Sequence, residues 1–221
     1  MQYRMSAHLN KKFAEIVRDK RIALIGPAPY LEKVQLKDKI YSYDLIVRLN
    51  QDFPPSMCFF ENVGSKTDIL YIVSKRLNSR DWTFEKQVEH HNIKSIVISF
   101  PHPQRCWHIK QHLAYRCLFR DIMPDDYDIY KEHLNAKPAT GNMAILDLLS
   151  YDIKELFIAG ITFYRDGLYH EGYATEKQKE RVARSQKGRH KPENQLEFML
   201  KVFKEDARVN VEENMKSIIG M

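Results

Sequence analysis

Short apolar runs separated by polar and helix-spaced segments make up most of the chain. Continuous apolar runs of four to seven residues are typical of strands that are buried on both faces, as in parallel sheets. Four such runs precede residue 101, at 21–25 (RIALI), 43–49 (YDLIVRL), 68–73 (DILYIV) and 94–100 (KSIVISF). Two further strands are predicted at 155–161 and near 208–211.

Segments with helical spacing of apolar residues alternate with these strands. Residues 7–19 have this spacing, and we expect the segment 1–20 to form an N-terminal helix that covers the sheet. Tyr30–Lys33 can form one short helical turn at most. Further helices are predicted at about 83–90, 104–120, 126–134, 140–151 and 193–204. The alternation predicts an α/β fold with a single doubly wound, mostly parallel sheet and helices on both faces.

Composition supports one packed domain over residues 1–221, because 43% of the residues are hydrophobic and 11% aromatic. No apolar run approaches the roughly 20 residues of a membrane span, and the N-terminus lacks the apolar region of a signal peptide. We therefore expect a cytoplasmic protein, with peripheral membrane association as an open alternative.

Cys58, Cys106 and Cys117 lack C-x-x-C spacing, which argues against a disulfide framework or a zinc site and favours buried or unreactive thiols.

The net charge of +6 favours anionic partners, and much of it is local. Residues 176–191 contain seven Lys or Arg residues but only two Glu residues. Such a segment is usually a solvated surface, and it could also steer a nucleotide or an acidic acceptor.

The most informative stretch is 137–173. Thr140 and Gly141 open a helix-spaced apolar run, and the first N–H groups of a helix can hold an anion. The strand that follows leads into a loop that contains Tyr164, Tyr169, His170 and Tyr173. Phenol and imidazole groups beyond a strand's carboxyl end mark the usual ligand crevice of an open α/β sheet. The stretch therefore predicts an anion-binding site.

The turn Gly26–Pro29 occupies the position of the first turn of a Rossmann fold. It lacks G-x-G-x-x-G, and two prolines remove N–H donors, so NAD binding is disfavoured. A tight structural turn and a nucleotide-contacting turn both remain open. Asn50 and Ser74 each follow a strand at the same edge and would add neutral hydrogen-bonding groups to the crevice.

Neither a metal nor a cofactor is indicated. Asp126-Tyr127-Asp128 has the D-x-D form of metal-dependent glycosyltransferases, but it precedes a helical run, where acids favour the helix N-terminus. No His, Cys and carboxylate cluster has metal spacing. His170 and His190 flank the basic segment, and one of them could be a general base, since a neutral imidazole can accept a proton near pH 7. A surface histidine is the alternative for each, and His102 could line the crevice.

Together these motifs resemble the CMP-sialic-acid-dependent sialyltransferases, both the bacterial lipooligosaccharide type and the animal type with sialylmotifs. The matches keep the family's order over residues 21–198. They are RIALIGP (21–27) with YDLIVRLN (43–50) for the large motif, PATG (138–141) with FIAGITFY (157–164) for the small motif, YHE (169–171) for the third motif, and His190 with LEF (196–198) for the final motif.

The resemblance implies a Rossmann-like variant of the GT-A glycosyltransferase fold and a metal-independent, inverting displacement at the anomeric carbon of a 2-keto acid sugar. His190 would be the general base, and Tyr164 and Tyr169 would donate hydrogen bonds to the departing CMP phosphate. Residues 165–189 would form a mobile lid over the donor. The implied donor-binding residues, which hold the nucleotide and the sugar carboxylate, are Gly26, Pro27, Asn50, Ser74, Thr140, Gly141 and Asn142.

The implied partners are a nucleotide-sugar donor and a glycan or glycolipid acceptor, without nucleic acid. Pro27 and Pro29 depart from the family's first turn, and the animal enzymes' membrane anchor and disulfide are absent, so the bacterial type is the closer analogue. CMP-Kdo would suit the same apparatus as an alternative donor. A non-catalytic domain that binds nucleotides or nucleic acid through the basic segment is a second alternative.

Overall fold

The structure, a computed structural model, describes residues 9–50, 57–73, 86, 88–100, 114, 116–185 and 190–221. Its strands are β1 Arg21–Ile25, β2 Leu45–Leu49, β3 Ile69–Ile72, β4 Ser95–Ile98, β5 Leu118–Asp121, β6 Glu155–Ala159 and β7 Val209–Val211. All neighbouring strands are parallel, in the order β5-β4-β3-β2-β1-β6-β7. The predicted parallel sheet is confirmed.

The helices lie between the strands and at both ends of the chain. Those whose bounds lie within the described residues are α1 Lys11–Val17, α2 Lys37–Tyr41, α3 Met57–Val63, α4 Pro124–Leu134, α5 Thr140–Leu149, α6 Glu176–Ser185, α7 Pro192–Glu205 and α8 Glu213–Ile219, with a 3-10 helix at Pro29–Lys33. Residues 88–90, within the helix predicted at about 83–90, are helical as well. Among the helices of the described residues, none combines the length and apolar character needed to cross a bilayer.

The two faces of the sheet pack against different sets of helices. Along β1, Ile22 and Leu24 join the core cluster that contains residues of α1, α4, α5, α7 and α8. The alternate residues Ala23 and Ile25 join the cluster that contains residues of the 3-10 helix, α2 and α3. Successive side chains of a strand point to opposite faces, so one apolar run serves both layers. Helices on both faces make the fold doubly wound, as the sequence predicted.

The order of the strands reverses at β1, which lies between β2 and β6. Gly26 follows β1 and Gly160 follows β6, and their backbones are in contact. The Gly26 N–H donates to the Ala159 carbonyl at 2.8 Å, and the Ala28 N–H donates to the Gly160 carbonyl at 3.2 Å. A Cβ on Gly26 would lie 2.2 Å from the Gly160 oxygen. The carboxyl edge at such a switch point is the usual ligand site of this class of fold.

The predicted helix over 104–120 is wrong at its C-terminal end, because 118–121 form the edge strand β5. Leu118-Phe119-Arg120-Asp121 lacks the β-branched residues that mark a strand in a sequence. Tertiary contacts decide its conformation, since Arg120 is buried, lies over the Phe13 ring at 4.0 Å and pairs with Asp147 of α5.

The basic segment is also more regular than predicted. Within the expected loop 165–189, residues Glu176–Ser185 form helix α6. Glu, Lys, Gln, Arg and Ala are strong helix formers, but an apolar pattern is largely missing here, so periodicity could not predict the helix. The ion pair between Lys179 and Glu176, at 2.8 Å, spans one turn of α6. Closure of the segment over a ligand remains a prediction.

The expected covering helix and the expected buried thiol both occur among the described residues. α1 covers the sheet through the buried Phe13 and Val17, and the Asn10 side chain caps its first turn. Cys117 is a buried thiol, and burial raises its pKa to about 11. The side chains of Cys58 and Cys106, and the whole of His102 and Ser74, lie outside the described residues.

Candidate active site

The loop that follows β6 is fixed to the first βα turn by a hydrogen-bonded clasp. Asp166 accepts from the Tyr30 backbone N–H at 3.1 Å through Oδ2 and from the Thr162 hydroxyl through Oδ1. The Tyr30 hydroxyl in turn accepts from the Gly160 N–H at 3.0 Å. The start of the loop is therefore held at the switch point.

Inside this clasp the backbone is strained at two consecutive aromatic residues. Phe163 and Tyr164 have φ values of 55° and 67°, in the left-handed region that bulky residues rarely adopt. Each such residue costs about 1–3 kcal/mol and persists only where the surroundings determine it. The bonds of Asp166 on either side supply that constraint, and the strained turn presents Tyr164 at the carboxyl edge.

Three tyrosines of the loop form a contiguous group. The Tyr164 and Tyr169 ring centroids are 6.1 Å apart, and those of Tyr169 and Tyr173 are 4.5 Å apart. Burial, and then the neighbouring Tyr169, raise the pKa of Tyr164 well above its ordinary value, so its phenol stays neutral and can donate a hydrogen bond. The Tyr173 hydroxyl donates to the Leu49 carbonyl at 3.5 Å, which brings the group to the end of β2.

His170 attaches the same loop to the Gly26–Pro29 turn. Its backbone N–H donates to the Pro27 carbonyl at 2.9 Å. Its ring is 1% exposed, stacks on Phe59 of α3 at 3.9 Å, and places Nδ1 2.8 Å from the Glu171 carbonyl. These contacts give His170 an anchoring role, and a role as the base stays a prediction.

Asn50 lies at the carboxyl edge and connects two strand ends. Its φ is 53°, its N–H donates to the Tyr71 carbonyl at 2.8 Å, and its Oδ1 accepts from the Val73 N–H at 3.0 Å. The amide thus holds β2 and β3 together beside the crevice.

Arg48, two residues before Asn50 in the segment that resembles the large motif, is 0% exposed. Its guanidinium donates to the carbonyls of Val63 at 3.0 Å, Lys66 at 3.2 Å and Gly64, at the C-terminus of α3. Cations are favoured at helix C-termini. Arg48 therefore stabilises the fold.

The N-terminus of α5 lies beside the switch-point loop. Ala139 is its N-cap residue and supplies no side-chain hydrogen bond to the helix. A Cβ on Gly141 would lie 3.1 Å from the Ile161 side chain, so this glycine lets the first turn pack closely on the residue after Gly160. The positive end of the ten-residue helix dipole is thereby placed near the crevice, with Thr140 and Asn142 in the same turn.

His190 is bound to the segment that leads into α5. Its Nδ1 lies 2.9 Å from the Lys137 carbonyl oxygen. A carbonyl can only accept, so Nδ1 carries the proton, and in the neutral ring Nε2 keeps its lone pair. This is the tautomer that a general base requires.

Gln195 of α7 was not predicted as a site residue. It is 2% exposed and bonds to the backbone at His190 and Lys137 as well as to Ala139 and Asn142. Gln195 occupies a buried position of α7 together with the apolar residues Leu196, Met199, Val202 and Phe203. An amide on the core face of an amphipathic helix is a sequence signal that could have identified it.

Arg165 and Glu193 join the tyrosine loop to the start of α7 through an ion pair at 2.8 Å. Both side chains are exposed, so the pair adds little stability. The ion pair does show that the segment that carries Tyr164 lies next to the helix that follows His190. The β6 loop, the first turn, the end of β2, the N-terminus of α5 and His190 therefore meet at one edge of the sheet.

The acidic D-x-D sequence lies in α4, with Asp125 and Asp126 in the first turn, where the helix dipole favours acids. Within the part of the chain that the structure describes, three or more His, Cys, Asp or Glu side chains do not gather into a group that could hold a metal ion.

The sequence matches no protein-family profile and no curated protein. Solved structures are similar to it in fold. A mammalian sialyltransferase in complex with Gal-beta-1-3GalNAc-ortho-nitrophenol superposes with a TM-score of 0.62 and 15% identity, over 96% of this chain and 76% of that chain. The sialyltransferase CstII from Campylobacter jejuni, in complex with the substrate analogue CMP-3FNeuAc, has a TM-score of 0.58 and 15% identity, over 87% of this chain and 81% of that chain.

A further structure of CST-II, in complex with a trisaccharide acceptor and CMP, gives a TM-score of 0.58 at 12% identity, over 91% of this chain and 86% of that chain. At these identities the likeness establishes the architecture. The chain has the sialyltransferase fold, and its described residues form a seven-stranded parallel sheet enclosed by helices, as the motif resemblance predicted.

Proposed function

We propose that the protein is an inverting glycosyltransferase that transfers sialic acid from CMP-sialic acid to a hydroxyl group of a glycan or glycolipid acceptor. The observation that carries this proposal is the meeting of the tyrosine loop, the N-terminus of α5 and His190 at one sheet edge. The fold supports it, since similar structures are described with CMP, CMP-3FNeuAc and a trisaccharide acceptor.

His190 is the general base in this proposal. Its Nε2 takes the proton of the acceptor hydroxyl as that oxygen forms a bond to the anomeric carbon of the sugar. The bond from the same carbon to the CMP phosphate oxygen breaks on the opposite face, so the configuration inverts. The Lys137 carbonyl, 2.9 Å from Nδ1, orients the ring and stabilises the imidazolium that forms.

The tyrosines stabilise the leaving group. A nucleoside monophosphate gains negative charge as it departs, and donors held in place stabilise that charge most effectively. Tyr164 is a neutral phenol, burial raises its pKa further, and Tyr169 packs edge-on against it. Both phenols would donate hydrogen bonds to the phosphate oxygens.

The donor is held from three sides. Gly26 and Pro27 lie under the nucleotide at the switch point, and Asn50 lies at the neighbouring strand end. Ser74, which lies outside the described residues, is a further proposed donor contact. Thr140, Gly141 and Asn142, in the first turn of α5, receive the sugar carboxylate, because the amide groups of a helix N-terminus favour an anion. Residues 165–189, with the basic helix α6, close over the donor and exclude water that would hydrolyse it.

The reaction needs no metal ion in this proposal, because phenol and backbone donors perform the charge stabilisation that a metal supplies elsewhere. The first experiment is therefore a donor screen. The protein is incubated with CMP-Neu5Ac or CMP-Kdo, with and without glycan acceptor, and CMP release is measured with and without EDTA. We expect acceptor-dependent release from CMP-Neu5Ac that EDTA does not reduce, and a product of opposite anomeric configuration by NMR.

Other outcomes of the screen assign other functions. Faster release from CMP-Kdo would identify Kdo, instead of sialic acid, as the transferred sugar. Loss of release in EDTA would refute the metal-free reaction. Absence of release from both donors, together with tight and salt-sensitive DNA or RNA binding, would identify a non-catalytic binding domain.

A further inference from the structure

We propose that Gln195 is a positioning residue that couples the base His190 to the donor-binding N-terminus of α5. The inference rests on the proposed function, because it assigns Gln195 a role in that same site. Gln195 itself lies on α7, and its partners lie 53 to 58 residues earlier, around the start of α5, and five residues earlier at His190.

The Gln195 amide uses its full hydrogen-bonding capacity. Its oxygen accepts from the Ala139 N–H at 3.0 Å and from Asn142 Nδ2 at 2.6 Å. Its nitrogen donates to the Lys137 carbonyl at 3.3 Å and to the His190 carbonyl. An amide offers two lone pairs and two N–H groups, so all four are engaged. The two ends of the amide therefore act on different parts of the site.

The oxygen end acts on the first turn of α5. It holds the N-cap residue Ala139 and orients the Asn142 amide, which is 2% exposed. Asn142 Oδ1 has no hydrogen-bond partner among the described residues, so the bond from Nδ2 to Gln195 is the contact that sets which way this amide points. Removing it would leave buried polar groups unpaired, which is costly.

The nitrogen end acts on His190. It binds the His190 carbonyl directly, and it binds the same Lys137 carbonyl that receives His190 Nδ1. The backbone at His190 needs such a restraint, because Lys191, the next residue, has a φ of 38°. The imidazole is thereby held in place and in its Nδ1–H tautomer, the form in which Nε2 can act as the base.

Two substitutions separate the two ends. Gln195→Met keeps the length of the side chain and removes all four bonds. Gln195→Glu keeps an acceptor for Ala139 and Asn142 but turns an ionised oxygen toward the carbonyls of Lys137 and His190. We expect Gln195→Glu to bind CMP about as tightly as the wild type and to transfer sugar about 10- to 100-fold more slowly at pH 7, since small displacements of a reacting group have effects of this size.

The pH profile gives a signature that a merely structural role would not produce. Burial and two facing carbonyl oxygens raise the pKa of the introduced carboxyl, and its protonated form is again a donor. The ratio of Gln195→Glu activity to wild-type activity should therefore rise as the pH falls from 8 toward 5. Gln195→Met should show no such rise, and its CMP affinity should also fall because the first turn of α5 is no longer held.

The neighbouring Asn194→Met variant is the matched control, because Asn194 bonds only the Asn135 carbonyl, at 3.3 Å, among the hydrogen bonds described for it. It should keep wild-type transfer. A double-mutant cycle adds a stricter criterion. In a His190→Ala background, Gln195→Glu should lower transfer activity no further, because the effect of the Gln195 nitrogen on transfer depends on the His190 imidazole, which is absent there.

The tautomer of His190 provides a readout that does not depend on activity. Imidazole ¹⁵N chemical shifts should show the Nδ1–H form in the wild type and a mixture of tautomers in Gln195→Glu at pH 8. If the wild type releases no CMP but the tautomer shifts as expected, the proposed function fails while Gln195 still positions His190. Unchanged transfer and an unchanged tautomer in folded Gln195→Glu would overturn the positioning role. If Gln195→Met does not fold, Gln195→Glu, which keeps two of the four bonds, still tests whether Gln195 positions His190.

Discussion

The two edges of the same sheet differ in chemistry. At the amino edge, charged side chains pair with one another: Arg21 with Glu155 at 3.1 Å, and Lys94 with Asp68 at 3.0 Å. The Tyr43 hydroxyl adds a bond to Glu155 at 2.7 Å. The carboxyl edge carries glycines, neutral phenols, the amide of Asn50 and the start of α5 instead.

This difference follows from the topology of parallel sheets. In a βα unit the helix begins just beyond the strand's carboxyl end, so amide groups with a partial positive charge collect at that edge. An anionic ligand can use them without a protein cation. At the amino edge the charged side chains pair with one another, so few charged groups are available to bind a ligand. Substitutions at the amino edge should therefore change stability, and those at the carboxyl edge should change transfer.

The largest effect is expected for His190→Ala at the carboxyl edge. Removing a general base slows such reactions by about 10²- to 10⁴-fold. CMP binding, measured by calorimetry, should stay near the wild-type value, because the leaving-group contacts come from the tyrosine loop. His90→Ala, on an exposed histidine, serves as the control and should transfer normally. Full activity of His190→Ala would shift the role of base to His170.

The second prediction compares the same substitution at both edges. Tyr164→Phe removes a donor to the departing phosphate, and we expect transfer to slow by about 100-fold. Tyr43→Phe removes the hydroxyl that bonds Glu155, so it should lower the free energy of unfolding by about 1 kcal/mol and leave transfer intact. Rates of CMP release and urea unfolding curves would measure the pair. Equal loss of transfer in both variants would contradict the separation of the edges.

A third prediction compares two glycines at the carboxyl edge. Gly26→Ala forces a Cβ against the Gly160 backbone, 2.2 Å away, and should lower the free energy of unfolding by about 1–3 kcal/mol. Gly141→Ala meets only the Ile161 side chain, at 3.1 Å, and gains up to about 1 kcal/mol of helix propensity. Gly141→Ala should therefore change stability little and still reduce transfer. A large loss of stability there, by urea unfolding, would indicate that Ile161 cannot move.

The smallest effect is a pH dependence at the amino edge. Burial alone would raise the pKa of Glu155, but hydrogen bonds from Tyr43, Asn210 and Arg21 outweigh it and lower the pKa below the ordinary value of 4.5. A lowered pKa means that the carboxylate stabilises the fold above its unfolded-state pKa and loses that contribution as the pH falls through the folded-state value.

The corresponding variant is Glu155→Gln. At pH 7 it should be less stable than the wild type by less than about 1 kcal/mol, since the site is partly exposed. The difference should shrink as the pH is lowered below 4.5. Unfolding midpoints between pH 7 and pH 3 would measure it. A difference that grew on acidification would show that the pKa is raised instead.

Much of the fold could be predicted from the chain because its central strands are apolar on both sides. RIALI becomes β1 at the residues expected, and the strand predicted over 155–161 ends at Ala159 because Gly160, with a φ of 77°, turns the chain. β5 was missed because contacts of Arg120 place an unremarkable sequence at the sheet edge. α6 was missed because its helix depends on propensity with little apolar pattern.

The sequence by itself determined which residue types stand at each strand end and in what order the motifs occur, since glycines, tyrosines and apolar runs impose local structure wherever they lie. Only the tertiary structure decided which of these residues meet. The strand order places β1 beside β6, although Ile25 and Ala159 are far apart in the chain. The tertiary structure also shows that Arg48 binds backbone carbonyls and stabilises the fold. It shows as well that Gln195 contacts residues around the start of α5, which are 53 to 58 residues away in the chain. Hydrogen bonds between distant segments form when the sheet brings those segments together. A local pattern can therefore mark Gln195 as an amide on the core face of its helix, but it cannot predict the partners.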